Sequence, residues 1–272
     1  MNGIQKTIKI IAICLAITII VSIFSCLFYF LFALSNITEP QTNNTKNNEP
    51  TRSETYNNNI TNIELDVAFS NITIKSGSEF KVETNDVNNS YSAKEKNNTL
   101  EIEEEKIPFG SNNGGEITIY IPKNTILNKL SIDKGAGNIE ITDITSNKIE
   151  VENGAGHLLI NNSMFNNTEI DGGAGNIEIT NSTLNNLEMD SGVGEVNITS
   201  KIAGISEISC GVGNVNINIT GTSEEYAIRT EKGLGSIKIN NEEITSNNTY
   251  GTGNNKLKVE GGVGNITIDF QS

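Results

Sequence analysis

From residue 126 to residue 270 apolar and polar positions alternate in short runs: Ile139-Glu140-Ile141, Leu158-Leu159-Ile160, Ile177-Glu178-Ile179, Val196-Asn197-Ile198, Val215-Asn216-Ile217, Ile237-Lys238-Ile239 and Ile266-Thr267-Ile268. A period of two puts the apolar residues on one side of a strand, and their β-branched side chains suit a pleated surface. Each run follows a Gly-x-Gly bend. A further column, Ile132, Val151, Ile170, Met189, Ile208, Thr230 and Val259, lies three positions before each bend. The bends are Gly135 and Gly137, Gly154 and Gly156, Gly173 and Gly175, Gly192 and Gly194, Gly211 and Gly213, Gly233 and Gly235, and Gly262 and Gly264. They recur at intervals of 19, 19, 19, 19, 22 and 29 residues. No apolar pattern of period 3.6 appears after residue 34, which excludes helical repeats.

One copy has a single apolar face and nothing to bury it against. Stacked copies bury it, with strands of successive copies pairing in parallel at ~4.8 Å. The fold expected is all-β, a parallel β-helix or β-solenoid with coils of about 19 residues. At each bend a sharp turn needs positive φ or a close backbone approach, and glycine tolerates both. A phosphate-binding loop is excluded, because such a loop opens a helix and these bends feed strands. The residue after each bend is Asn138, His157, Asn176, Glu195, Asn214, Ser236 or Asn265. Stacked amides bonded along the axis are the expected role of the Asn. His157 reads as one rung of that ladder, since no Ser, Cys or carboxylate accompanies it in a shared motif.

Residues 63–132 carry the same chemistry with looser spacing. Ala68-Phe69-Ser70-Asn71-Ile72-Thr73-Ile74 matches Gly135-Ala136-Gly137-Asn138-Ile139-Glu140-Ile141 without the glycines and reads as a degenerate first copy. At the other end Phe270-Gln271-Ser272 directly follows a strand, which suggests a thinly capped end open to end-to-end association.

Residues 10–34 are uncharged and would span roughly 38 Å as a helix, more than the ~30 Å hydrocarbon core. This predicts one N-terminal transmembrane helix ahead of the solenoid, kept as a signal-anchor; a signal peptide cleaved near Ala33-Leu34-Ser35 is the alternative. Lys6 and Lys9 place residues 1–9 in the cytoplasm and the rest outside, a single-pass protein of the cell membrane. Residues 35–62 are polar and read as a disordered linker, followed by irregular coils over 63–132 and regular coils over 133–270.

Composition sharpens this picture. The 272 residues include 33 acidic and 19 basic side chains, and a net charge of −14 argues against nucleic acid as a partner. One His and three Cys leave no zinc set or disulfide framework. In register, Glu150, Glu169, Glu188 and Glu207 form one outward row, and Asp133, Glu152, Asp171, Asp190, Glu231 and Glu260 a second, broken by Ser209. Two readings fit: a solvent-screened face that resists aggregation, or a surface for Ca²⁺ or a cationic partner at Glu150, Glu152, Glu169, Asp171, Glu188 and Asp190. No metal ligand set or cofactor site is assigned.

Tyr120-Ile121-Pro122-Lys123 and the repeat Leu130-Ser131-Ile132-x-x-Gly-x-Gly-Asn-Ile-Glu-Ile resemble the bacterial putative-adhesin family of β-strand-repeat domains over residues 60 to 270. The resemblance implies a surface-facing β-solenoid of unknown biochemical function, at times found with cell-envelope stress systems. It carries over no catalytic residues. The function expected is therefore a non-catalytic, adhesin-like binding module of the envelope, with a surface protein or glycan as partner. The alternatives are a self-associating envelope scaffold and, behind it, a polysaccharide-acting β-helix enzyme.

Overall fold

The computed structural model describes residues 52–57, 59–85, 91–104, 114–245 and 247–271. The apolar segment 10–34 and the linker up to residue 51 lie outside the described residues. Among the described residues no helix is long and apolar enough to cross a membrane. Residues 49–272 form one compact unit, and among the described residues every regular element is a strand except the short 3-10 turn Ser223–Glu225.

The repeats stack as parallel coils in strict register. The strand Thr145–Ala155 pairs with Ile126–Ala136 on one side and Met164–Ala174 on the other, so that Leu130, Ile149 and Thr168 share one column and Ile132, Val151 and Ile170 the next. Past the bend, Leu158–Asn161 pairs with Ile139–Thr142 and with Ile177–Asn185. The columns read from sequence are the core: Ile141, Ile160, Ile179 and Leu130 are fully buried, as are Leu127, Phe165 and Leu184, which close the third side of the coils. Each such side chain contributes about 1.5–3 kcal/mol by leaving water.

The order of coils at the two ends differs from chain order. Asn62–Val67 pairs with Ile126–Ala136 on one edge and with Thr99–Glu104 on the other, which puts the second segment outside the first. Ile72 faces Ile139 and Ile74 faces Ile141, as the degenerate first copy requires. At the far end Asn255–Val263 pairs with Ile205–Val212 and with Tyr226–Leu234. The last copy is thus enclosed and residues 226–239 are outermost. This corrects the expectation that the final copy ends the stack.

The irregular repeat intervals have their origin here, because the chain between Thr220 and Asn255 must leave the stack, build the outer coil and return. Tyr226 pins that coil: its buried hydroxyl donates to the Ile202 carbonyl at 2.7 Å, and its ring meets Phe270 at 5.4 Å between centroids.

Antiparallel strands cover the edges that remain. Tyr91–Lys96 pairs along Thr99–Glu104, and Lys81–Asn85 pairs along Glu116–Pro122. Arg52–Thr55 adds to Lys81–Asn85, and Ile60 is buried, so residues 52–62, read as part of the linker, belong in part to this cap. The two-residue strands Glu242–Glu243 and Thr249–Tyr250 lie against the outermost C-terminal coil. Short charged strands of this kind blunt an edge against further pairing, so neither end is as bare as the sequence suggested.

The two glycines of a bend differ in their reasons. A Cβ on Gly173 would overlap the Gly154 carbonyl oxygen one coil below, so close approach alone selects glycine there. Gly175 has φ +142° and a Cβ on it would overlap the Gly156 carbonyl. On the opposite turn Asp143, Asn162 and Asn181 hold φ of 60°, 49° and 51°, a left-handed conformation that Asn and Asp tolerate better than most residues. This accounts for much of the Asn in the turns.

We expect Gly175→Ala to cost at least about 3 kcal/mol in urea unfolding. Asn162→Ala should cost about 1 kcal/mol and Asn162→Gly stay within about 0.5 kcal/mol of wild type. Equal midpoints for Asn162→Ala and Asn162→Gly would show that φ does not select the turn residue.

Candidate binding face

From Ile149 to Ala155 the odd positions of the strand Thr145–Ala155 point inward and the charged residues Glu150 and Glu152 outward, and parallel register turns each outward position into a row along the axis. In spatial order the first row runs Glu101, Glu64, Ser131, Glu150, Glu169, Glu188, Glu207, Lys258, Arg229. The second runs Glu103, Asp66, Asp133, Glu152, Asp171, Asp190, Ser209, Glu260, Glu231. All six candidates from sequence, Glu150, Glu152, Glu169, Asp171, Glu188 and Asp190, stand in these rows on adjacent rungs. The structure adds Glu64, Asp66, Glu101 and Glu103. The alignment of Ala68 with Gly135 already implied Glu64 and Asp66, since the same offset sets Ile63-Glu64-Leu65-Asp66 on Leu130-Ser131-Ile132-Asp133.

The rows are screened unevenly. Glu150 takes Lys129 at 2.6 Å and Lys148, and these two ammonium groups pull its carboxyl down to about 2. Lys258 bridges Glu207, at 2.8 Å, and Glu260, which raises its own pKa. Arg229 bonds Glu231 at 2.8 Å. Between them Glu188, Asp133, Glu152, Asp171 and Asp190 make no ion pair with a described residue. Partial burial, then Asp190 and Glu169, push the Asp171 carboxyl above the usual range. Like charges one rung apart, ~4.8 Å, cost little in water and more where solvent is partly excluded.

Asp133, Glu152, Asp171 and Asp190 line a groove of about 650 Å³ beside the glycine bends. Its carboxylates stand in line. Among the described residues no three Asp, Glu, His or Cys side chains converge as a metal ion needs, so the geometry gives the Ca²⁺ reading no cage. At the bends the middle residues grow along the axis, Ala136, Ala155, Ala174, Val193, Val212, Val263, Leu234, and the last of these is 71% exposed. This smooth order appears only once the final two copies are exchanged.

The Asn ladder has a different chemistry from the one expected. Asn71 Oδ1 accepts from the Asn138 backbone N–H at 2.9 Å, and Asn138 Oδ1 from the His157 N–H at 3.1 Å. Asn176 and Asn214 do the same for Glu195 and Asn265. The amide caps the next coil's backbone where the bend breaks strand pairing. Direct amide-to-amide bonds occur at another corner, from Asn166 to Asn147 at 3.1 Å and from Asn185 to Asn166 at 3.4 Å. His157 faces Glu178 at 3.9 Å. Cys210 is buried, and burial raises its thiol pKa.

Sequence reasoning missed a buried polar cluster under the first bend. Lys134 points inward and is 1% exposed; its Nζ donates to the carbonyls of Ala136, at 2.8 Å, and Ser70. Glu104, also buried, accepts from the Phe69 and Ser70 N–H groups at 3.0 and 2.9 Å and from the Ser70 hydroxyl at 2.5 Å. The cluster ties three successive coils where the glycine pattern is lost. The signal available was parity, since Lys134 occupies an inward position two after Ile132. Burial lowers its pKa to about 8, opposed by Glu104.

The family model described as Toastrack DUF4097 matches residues 60–267, and the chain belongs to that family. Among solved structures, a putative adhesin from Bacteroides fragilis is similar, with a TM-score of 0.54, 20% identity, and 80% of this chain and 95% of that chain covered. A putative cell adhesion protein from Clostridium sporogenes gives a TM-score of 0.43 at 17% identity, over 82% of this chain and 100% of that one. The first of these likenesses shows the fold. No curated protein matches the sequence.

Two measurements follow. Below pH 8 folded and unfolded chains both hold the Lys134 proton, while from pH 8 to about 10.4 only the unfolded chain does, so stability rises with pH across that window. Wild type should gain roughly 2 kcal/mol over Lys134→Met between pH 7.5 and 10; parallel curves would mean that Lys134 titrates normally. Asp171 has the opposite case from an ordinary stabilising carboxylate, because its raised folded pKa makes the ionised form unfavourable in the fold. Asp171→Asn should therefore raise the urea midpoint slightly at pH 7, with the gain vanishing as pH falls through the Asp171 pKa.

Proposed function

We propose that this protein is a membrane-anchored, extracytoplasmic β-solenoid that displays a non-catalytic binding face to a cationic partner at the cell envelope. The observation that carries the reading is the run Asp133, Glu152, Asp171 and Asp190: four carboxylates on consecutive rungs, without ion pairs to described residues, beside an open groove. A row of this kind raises the local concentration of cations and steers a polycationic ligand. The similar fold of a protein described as an adhesin supports an adhesin-like role, and the uncharged residues 10–34 behind Lys6 and Lys9 support anchoring with the solenoid outside. Absence of catalysis is part of the proposal, since the carboxylates of the face stand in line on successive rungs and do not converge on a shared point with a second catalytic group. End-to-end scaffolding is the weaker reading, because antiparallel strands lie over both ends.

The test uses the full chain in detergent and a fluorescent oligolysine peptide as probe. Binding should weaken steeply between 50 and 500 mM salt and fall at least tenfold when Asp133, Glu152, Asp171 and Asp190 become Asn or Gln. Unchanged binding by that variant would remove the face from the proposal.

A further inference from the structure

A second groove, of about 740 Å³, lies on the same sheet; its outward positions belong to the first acidic row and the row two residues before it, with Thr249 beside Arg229 at one end. The earlier row reads Lys129, Lys148, Asn167, Asn186, Ile205, Lys256, Ala227 in spatial order. Ile205 is 71% exposed at the middle of this groove, an isoleucine in water where its neighbours on the row are amides and lysine. The charges of the first row reverse sign across the coil that carries it. One and two rungs to one side stand Glu188 and Glu169; one and two rungs to the other stand Lys258 and Arg229. On the Ile205 coil itself Glu207 is neutralised by Lys258, and the second acidic row is interrupted by Ser209.

A pattern antisymmetric in charge about one apolar residue is complementary to itself. A twofold axis parallel to the strands and lying in the interface just above Ile205 maps each row onto the same row of the second copy with the rung order reversed. It sets Ile205 against Ile205, Glu188 against Lys258 and Glu169 against Arg229, each contact made twice. That is the geometry of an isologous interface. We propose that this groove is a homodimer interface and that its occupant is a second copy of this chain, packed face to face with its axis reversed.

The second copy supplies what the groove lacks within one chain, since Glu188 has no ion-pair partner among the described residues. Lys258 and Arg229 each keep their bonds to Glu260 and Glu231, which leaves the second row's charges at the rim compensated on that side. Five rungs by two rows amount to roughly 400 Å² per copy, about half of a standard interface, which puts the dimer in the weak, transient class. Asp133 and Glu152 lie on rungs beyond this groove, while Asp171 and Asp190 flank it two residues along the strands from Glu169 and Glu188, so the dimer leaves the first pair open and borders the second.

The experiment is sedimentation equilibrium of the full chain in density-matched detergent at 50 mM salt. Wild type should dimerise, and Glu188→Lys and Lys258→Glu should each weaken self-association at least tenfold, because each places two like-charged contacts across the twofold. An equimolar mixture of the two variants should recover dimers within about threefold of wild type, as every 188–258 contact in the mixed pair is again attractive. Ile205→Glu, on a side chain already exposed, should give a monomer with an unchanged thermal midpoint and undiminished oligolysine binding. A wild type that stays monomeric at 200 µM, variants that dimerise normally, or a mixture that fails to recover would each overturn the proposal.

Discussion

Everything in this fold depends on how closely one coil can approach the next at the bend. Strand pairing fixes the rise at ~4.8 Å per rung along the sheets. The chain must also turn from one sheet to the next without breaking that rise. At Gly173 and Gly175 it does so by bringing backbone onto the carbonyls of Gly154 and Gly156, where a β-carbon has no room. Where the glycines disappear, at Ala68 and Phe69, the bend is held by other means. Lys134 and Glu104 then fill the interior with charge and bind the backbone directly.

That register constraint is also what makes a surface. A residue two before a bend carries no message in one copy, but repeated on every rung it becomes a line of charge with a fixed spacing. Lys129, Lys148 and Lys258 neutralise some rungs and leave others bare, so the face is a patterned strip rather than a uniform acidic field. The exposed aliphatic residues are patterned too. Val193, Val212, Val263 and Leu234 gather toward the C-terminal end of the stack, and Ile205 stands alone among polar neighbours on its row.

The stack's ends show how a repeat protein escapes the hazard of open edges. The first and last copies are both drawn inward, each paired on two sides, and the segment next to each is displaced to the outside. The displaced coils then carry antiparallel strands, so the outermost backbone groups are partly paired and the remaining edges are short. Tyr226 stitches the outer coil at the C-terminal end across the enclosed copy to Ile202, and Lys134 with Glu104 does the equivalent at the N-terminal end.

The sequence alone determined the coil. Period-two alternation and a 19-residue repeat are local and additive, so the core columns from Leu130 to Ile268 and the glycine bends could be read without any contact being known, and the acidic rows followed from parallel register. It did not determine neighbours where the period slips. An interval of 29 residues between Gly233 and Gly262 says that something leaves the stack, but not that the later copy returns beneath the earlier one. Only the tertiary structure placed Lys258 beside Glu207, 51 residues away in the chain, and Arg229 beyond it. The physical reason is that pairing energy per rung is nearly the same for any copy of the repeat. The choice among copies rests on edge protection and on single contacts such as that of Tyr226, which the repeat pattern does not encode.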